Sequence, residues 1–250
     1  MFVSSYRALF LALLSCFCIF TGNVFAEQTL VFSVGEWEPF VGETMENYGP
    51  TAEIVAAACK KAGYKAEFEF LPWKRAYKKV KTGKSIATFP WTRTDERAIE
   101  VLFPKTPIMV GKEKAYYLKE KFPKGLKVSN LEDLKSYKMV GILGYWYEEP
   151  AKKAGINMHM VSSADLAWKV LGKGRAEILI ENEVVAKVKM EKMSGDSASK
   201  FASTNDTFRT SDMFCLFSRV YPGAIEIMKK LDHALKEMED SGEIERVLMK

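Results

Sequence analysis

The sequence predicts an α/β protein of two lobes, each a mostly parallel sheet flanked by helices. Three observations carry this. Runs rich in β-branched and aromatic residues alternate with amphipathic helical runs over residues 28–89, in the order strand, helix, strand, helix, strand. The same logic recurs over residues 138–193. The composition is that of a folded domain, 48% hydrophobic and 28% charged, which excludes disordered, collagen-like and low-complexity classes. A length of 250 residues leaves room for one large or two small domains.

Residues 1–26, MFVSSYRALFLALLSCFCIFTGNVFA, read as an address. Arg7 is the only charge, an apolar run follows from Ala8 to Phe20, and Val24-Phe25-Ala26 has the small-residue spacing of a cleavage site. A signal peptide cut after Ala26 and a periplasmic location are therefore expected. The run falls short of the roughly 20 apolar residues that span a bilayer. Leu13-Leu14-Ser15-Cys16 ends on a cysteine that a lipoprotein signal would modify, but the apolar run continues past it and Leu14 is bulky. No second stretch of spanning length follows, so the mature chain is expected to be soluble.

In the mature chain, QTLVFSV (28–34) alternates and reads as a strand, followed by a polar and aromatic loop over 35–50. In the helical segment 51–63, Ile54, Val55, Ala58, Cys59 and Ala62 share one face, with Thr51 as candidate cap and Gly63 as stop. YKAEFEFL (64–71) is a second strand, Pro72 opens a helix to Val80 closed by Thr82-Gly83, and 86–89 is a third strand. Further on, 138–142, 156–161 and 177–180 read as strands. Residues 148–154 (ended by Gly155), 163–171 and 183–193 read as helices. Residues 213–218 form another strand, and 222–250 is helical with a break at Ser241-Gly242.

Lys+Arg number 37 against Asp+Glu 32, and the basic residues are scattered among acids without aromatic interleaving, so no nucleic-acid partner is expected. His159 and His233 lie far apart and no cysteine pair has ligand spacing, so neither metal nor cofactor is expected. Cleavage would leave Cys59 and Cys215, whose apolar settings favour buried thiols over the disulfide that an oxidising compartment permits.

Ligands of α/β sheets bind beyond the carboxyl ends of the strands. Glu36, Trp37, Pro39 and Phe40 follow the first strand; Trp73, Lys74 and Arg75 follow the second. Pro90, Trp91 and Thr92 follow the third, leading into Arg93 and Arg97. Gly144, Tyr145, Trp146 and Tyr147 follow the strand at 138–142, and Glu181 and Asn182 follow that at 177–180. Four of the five tryptophans fall at these junctions, which favours a ligand cleft over a core that keeps its aromatics inside.

The stretch T-x-T-D-E-R-A-x-x-V-x-F-x-x-x-P-I over residues 92–108 is the most specific motif. Together with Pro39-Phe40, Gly49, Gly174-Arg175-Ala176-Glu177 and Asp240-Ser241-Gly242-Glu243-Ile244, it resembles the bacterial extracellular solute-binding proteins of polar amino-acid ABC transporters. These are type II periplasmic binding proteins, and the resemblance covers residues 28–250. It implies two lobes joined by a two-strand hinge, with crossings near 104–109 and 218–221. Residues 27–106 would begin lobe 1, 107–219 would form lobe 2, and the helices of 220–250 would return to lobe 1. It further implies a monomer that captures a small-molecule ligand, an amino acid or related compound, by lobe closure and delivers it to an ABC permease.

The resemblance assigns Arg97 to the ligand carboxylate, and a planar guanidinium suits that role because it offers two parallel donors and stays charged. Thr92 would donate to the same group, and Pro90 and Trp91 would line the cleft. Asp95 and Glu96 read as helix starters. Arg93 competes for the carboxylate, and an ion pair with Asp95 or Glu100 is the structural alternative for Arg97. The second lobe departs from the family pattern. Its loop is bulky and aromatic where binders carry a polar glycine-threonine loop, and Asn182 stands where they place an aspartate against the ligand ammonium. Glu181 and Glu36 are candidates for the missing negative charge, with a solvated carboxylate the alternative for each. Trp37, Trp73, Trp91, Tyr145 and Trp146 could box a flat or cationic ligand. Arg75 is a second anion contact or a local ion pair. Two other functions share the architecture: a dehydratase of cyclohexadienyl substrates using a cleft carboxylate as acid, and a receptor subunit presenting ligand to a sensor kinase. No nucleophile or triad is marked, so binding rather than catalysis is expected.

Overall fold

The computed structural model describes residues 28–193 and 198–249, and the expected signal peptide lies outside them. β1 (Gln28–Val34) lies parallel to β2 (Tyr64–Phe70), in register from Gln28↔Tyr64 to Val34↔Phe70, and on its other side to β3 (Ala87–Thr92). Between the first two strands, α1 (Pro50–Lys61) turns Ile54, Val55, Ala58 and Cys59 inward. Its start differs from the expectation: Gly49 is the cap residue, and Pro50 occupies the first helical turn, where its missing N–H leaves no bond unmade. Thr51 donates its hydroxyl to the Phe40 carbonyl at 2.8 Å instead, tying the helix start to the preceding loop. α2 (Trp73–Lys81) follows with Ala76 and Val80 buried.

Next come α3 (Asp95–Glu100), the short β4 (Val101–Leu102) and the long β5 (Met109–Leu118). The second run comprises β6 (Met139–Ile142), α4 (Glu148–Lys153), β7 (Met158–Val161), α5 (Ala164–Gly172), β8 (Ile178–Asn182) and α6 (Glu183–Glu191). The chain closes with β9 (Phe201–Ser203), β10 (Arg209–Ser218), α7 (Ala224–Asp240) and α8 (Glu243–Leu248).

The strands join in the order β2-β1-β3-β10-β5-β8-β6-β7, with β4 also on β10 and β9 also on β5. Pairing is parallel in both outer trios and antiparallel through β10 and β5, which carry the sheet from one half to the other. β10 begins at Arg209, ahead of the apolar run at 213–218, and pairs with β5 over Arg209 to Met213 before turning to β3. β10 therefore lies against β5 over its first half and against β3 over its second. β3 runs through Pro90, Trp91 and Thr92, all buried, so these residues are in the strand and not beyond it. Pro90 has no N–H for the ladder, and the register against β10 shifts beside it, between Phe214 and Leu216.

In the core of the first half Leu30, Phe32, Phe89 and Phe217 meet Ile227, Leu231, Leu235 and Met238 of α7, while Val80, Trp91, Val101 and Leu216 form a second, smaller cluster. In the second half, alternate residues of a strand enter different cores. Ala115 and Tyr117 of β5 with Ile178 and Ile180 of β8 face one, while Tyr116, Leu118 and Leu179 face the other. A sheet covered on both faces needs such two-sided burial. Cys59 and Cys215 are buried thiols, and burial pushes the Cys215 thiol well up from its ordinary pKa, with Cys59 adding to it. Among the described residues no helix is long and apolar enough to cross a membrane.

Candidate ligand cleft

Arg97 is placed by the turn between β3 and α3. Thr94 caps α3, its hydroxyl accepting the Arg97 N–H at 3.3 Å, and Asp95 and Glu96 occupy the first turn. The guanidinium turns back under the helix, donating from one terminal nitrogen to the Thr92 carbonyl and from the other to the Gly144 carbonyl, each at 2.7 Å. It lies 4.7 Å from the Trp91 ring, a cation–π contact. Burial draws its pKa down to about 10, with Arg209 pressing the same way and Tyr77, Glu148 and Glu96 opposing, so it stays charged at neutral pH. Neither Asp95 nor Glu100 holds it: Glu100 accepts from Tyr77 and Lys81. Arg93 is exposed and stacks on Phe103 at 5.3 Å.

The walls around this guanidinium are aromatic. Trp91 donates to the Thr88 hydroxyl at 2.9 Å and meets Trp73 edge-on at 5.4 Å. Trp73 reaches back to the Glu36 carbonyl at 3.3 Å. From the second half comes Gly144-Tyr145-Trp146. Gly144 has φ 92°, and a Cβ there would stand 3.1 Å from the Trp73 Cβ, so the loop backbone approaches α2 as only glycine allows. Trp146 donates to Glu113 at 2.8 Å, under the Arg209 guanidinium 4.0 Å from its ring.

These groups enclose a chamber of about 40 Å³, lined by Trp37, Trp73, Pro90, Trp91, Thr92, Arg97, Gly144, Tyr145 and Trp146 of the expected residues, and by Glu113 and Met213 besides. Liquid water occupies roughly 30 Å³ per molecule, so the chamber has space for little more than one. Trp37, Trp73 and Tyr145 also border an outer cavity of about 450 Å³ that includes Glu36, Asp165 and Lys189. On the other side, Arg97, Gly144 and Trp146 border one of about 660 Å³.

Four expected residues stand apart from the chamber. Arg75 is exposed on α2, and Glu36 is exposed, accepting the Glu43 N–H at 3.2 Å and lining only the outer cavity. Asn182 is buried and its side-chain oxygen caps α6, accepting from Val184 at 2.9 Å and Val185 at 3.3 Å. Glu181 is 1% exposed, not solvated. One of its oxygens accepts the Asn182 N–H at 2.9 Å and the other has no partner. Burial raises its pKa to about 8, and the nearby Glu113 adds to the shift. The Trp37 N–H draws down both Glu181 and Tyr145, although no acceptor meets it at hydrogen-bonding geometry.

Glu113 was not foreseen. It lies between Lys112 and Lys114, yet it is 8% exposed and burial lifts its pKa to about 7. The legible signal was the K-E-K spacing, which in a strand puts the glutamate on the face opposite both lysines. Ion pairs absent from the sequence reading span the seam between the halves: Lys74 to Glu148 at 2.7 Å, Lys153 to Glu96, and Lys192 to Glu38. Glu148 also accepts the Gly144 N–H at 2.7 Å, so the loop and the seam are braced by one carboxylate.

Among curated proteins none matches the sequence. The amino acid ABC transporter substrate-binding protein AbpA from Streptococcus pneumoniae Canada MDR_19A, bound to L-arginine, superposes with a TM-score of 0.72 at 19% identity, covering 88% of this chain and 93% of that one. A histidine kinase sensor domain with similarity to periplasmic binding proteins gives 0.74 at 15% identity, covering 88% and 94%. The ancestral amino-acid-binding protein AncCDT-1, a precursor of cyclohexadienyl dehydratase, gives 0.68 at 21%, covering 88% and 92%. At these identities the likeness is one of fold. Residues 31–250 match the sequence profile of the bacterial extracellular solute-binding proteins, family 3. The chain, a two-lobed type II periplasmic binding protein in architecture, belongs to that family.

Proposed function

We propose that the protein captures a small carboxylate-bearing solute, an amino acid or a related compound, in the periplasm and delivers it to an ABC permease. The observation that carries this reading is the Arg97 guanidinium, set in the chamber with both terminal nitrogens turned to backbone carbonyls at 2.7 Å. A carboxylate offers the same two-point geometry with a full charge, so it outcompetes the neutral Gly144 carbonyl. Thr92, Pro90 and Trp91 form the wall on that side. Residues 27–106 with 220–250 act as one lobe and 107–219 as the other, with β10 spanning the seam. The ligand binds when the halves part, since the closed chamber is too small, and closure follows because contacts from both halves exist only in the closed form. A monomer suffices for this cycle, and it needs no cofactor.

A thermal-shift screen over amino acids, polyamines and small carboxylates tests the reading. Stabilisation by compounds carrying a carboxylate, and loss of it with their decarboxylated analogues, is expected; stabilisation by polyamines alone would contradict it.

One observation favours a second reading. Glu113 and Glu181 are buried carboxyls with pKa values of about 7 and 8, as a general acid acting near neutral pH requires. Such an enzyme would resemble the cyclohexadienyl dehydratases, and incubation with prephenate or arogenate that yields no product excludes it. Presentation of ligand to a sensor kinase would use the same cleft, and a neighbouring kinase gene in place of a permease gene would mark it.

A further inference from the structure

Among the described residues, two chamber-lining side chains carry a buried polar atom without a partner, the Trp37 indole N–H and one Glu113 oxygen, and only the second is an acceptor. Glu113 is 8% exposed; one carboxylate oxygen accepts from Trp146 at 2.8 Å and the other has no partner. A buried carboxylate oxygen left without a donor is costly. Arg209 stacks on the Trp146 ring, and its charge reaches Glu113 without a bond to the free oxygen. Of the cleft carboxyls, Glu181 also has an unpartnered oxygen but does not line the chamber, and Glu36 is exposed outside it. Glu113 alone among them combines burial, a missing donor and a place on the chamber wall beside Arg97.

We propose that Glu113 is the counter-ion for a cationic group of the ligand, so that the cleft selects a ligand carrying both charges. The inference rests on the reading of Arg97 as the anion clamp. Glu113 and Arg97 line the same chamber, so a ligand held by Arg97 there also meets the Glu113 carboxylate. Glu113 also stands on β5, a central strand, opposite Asn182 of β8, so its position is fixed by the sheet ladder. The side chain of Asn182 is occupied in capping α6 and does not line the chamber, which leaves Glu113 to supply the negative charge.

The test is calorimetry with the twenty proteinogenic L-amino acids, followed by the deaminated analogue of the tightest binder, on wild type, Glu113→Gln, Glu113→Asp and Arg97→Ala. Glutamine keeps an acceptor for Trp146 and removes the charge. Wild type is expected to lose about 10- to 100-fold in affinity when the probe lacks its amine. Glu113→Gln is expected to lose as much for the amino acid and nothing further for the deaminated analogue. Glu113→Asp is expected to retain part of the discrimination, and it carries the test should the glutamine variant fail to fold. Binding of the deaminated analogue to wild type as tightly as the amino acid, or of no amino acid at all, overturns the proposal. An amino acid held by Glu113→Gln as by wild type, with Arg97→Ala inactive, overturns Glu113 and leaves the clamp standing. Full binding by Arg97→Ala overturns the clamp and this inference with it.

Discussion

Burial lifts the Glu181 carboxyl to a pKa of about 8 and the Glu113 carboxyl to about 7, and this makes stability depend on pH in an unusual direction. Between the ordinary carboxyl range and these values the folded protein holds protons that the unfolded chain has released. Their contribution is complete below the unfolded pKa and is lost as pH rises through 7 and 8. Glu69 and Glu100, held low by hydrogen bonds to Lys79 and Lys81, work the opposite way, but their stabilisation is already complete by about pH 5. The ligand-free protein is therefore expected to melt roughly 5–10 °C lower at pH 8 than at pH 5. Glu181→Gln should flatten that slope, as thermal melts across pH would register. At this scale the sequence was legible where a motif spoke: Arg97, Thr92 and Trp91 meet in the chamber. It was misleading where charge alone was the guide. Glu181 was open to either a ligand or a solvated role and Glu113 stood in no motif, yet the fold buries both, at 1% and 8% exposed.

The aromatic loop after β6 decides how closely the halves meet. Its position depends on Gly144, whose left-handed φ of 92° and 3.1 Å approach to Trp73 leave no place for a side chain. Gly144→Ala is expected to destabilise the protein by roughly 1–3 kcal/mol, through backbone strain and separation of the loop from α2. It should also weaken ligand binding, because Tyr145 and Trp146 then no longer sit where they line the chamber. Melting curves and titrations on the same variant measure both; an unchanged melting temperature would contradict the packing described. Elements with a single period were readable, as β1 and β2 show by their alternation and α1 by its apolar face. β5 was not read as an element at all. Its first half alternates charge with burial and its second half, AYYL, is buried on both faces, so no one period runs its length.

At the scale of the molecule, two halves joined by β5 and β10 are held closed by the bonds across the seam. The ion pairs there are largely exposed, and exposed pairs contribute about 0–1 kcal/mol each, so they add little to the cost of opening. The two-lobed plan was legible because the strand–helix alternation occurs twice. The near-closed chamber was not, since it depends on how Tyr145 and Trp146 fill the space between lobes. Arg97 joins all three scales, as a guanidinium on Trp91, as the end of the β3–α3 turn and as a bond across the seam to Gly144. Isothermal titration of wild type and Arg97→Ala with the tightest ligand from the screen asks about it most directly. A loss of at least about 100-fold in affinity, with the fold intact by circular dichroism, is the expected result. Equal affinity in the two proteins would contradict the account.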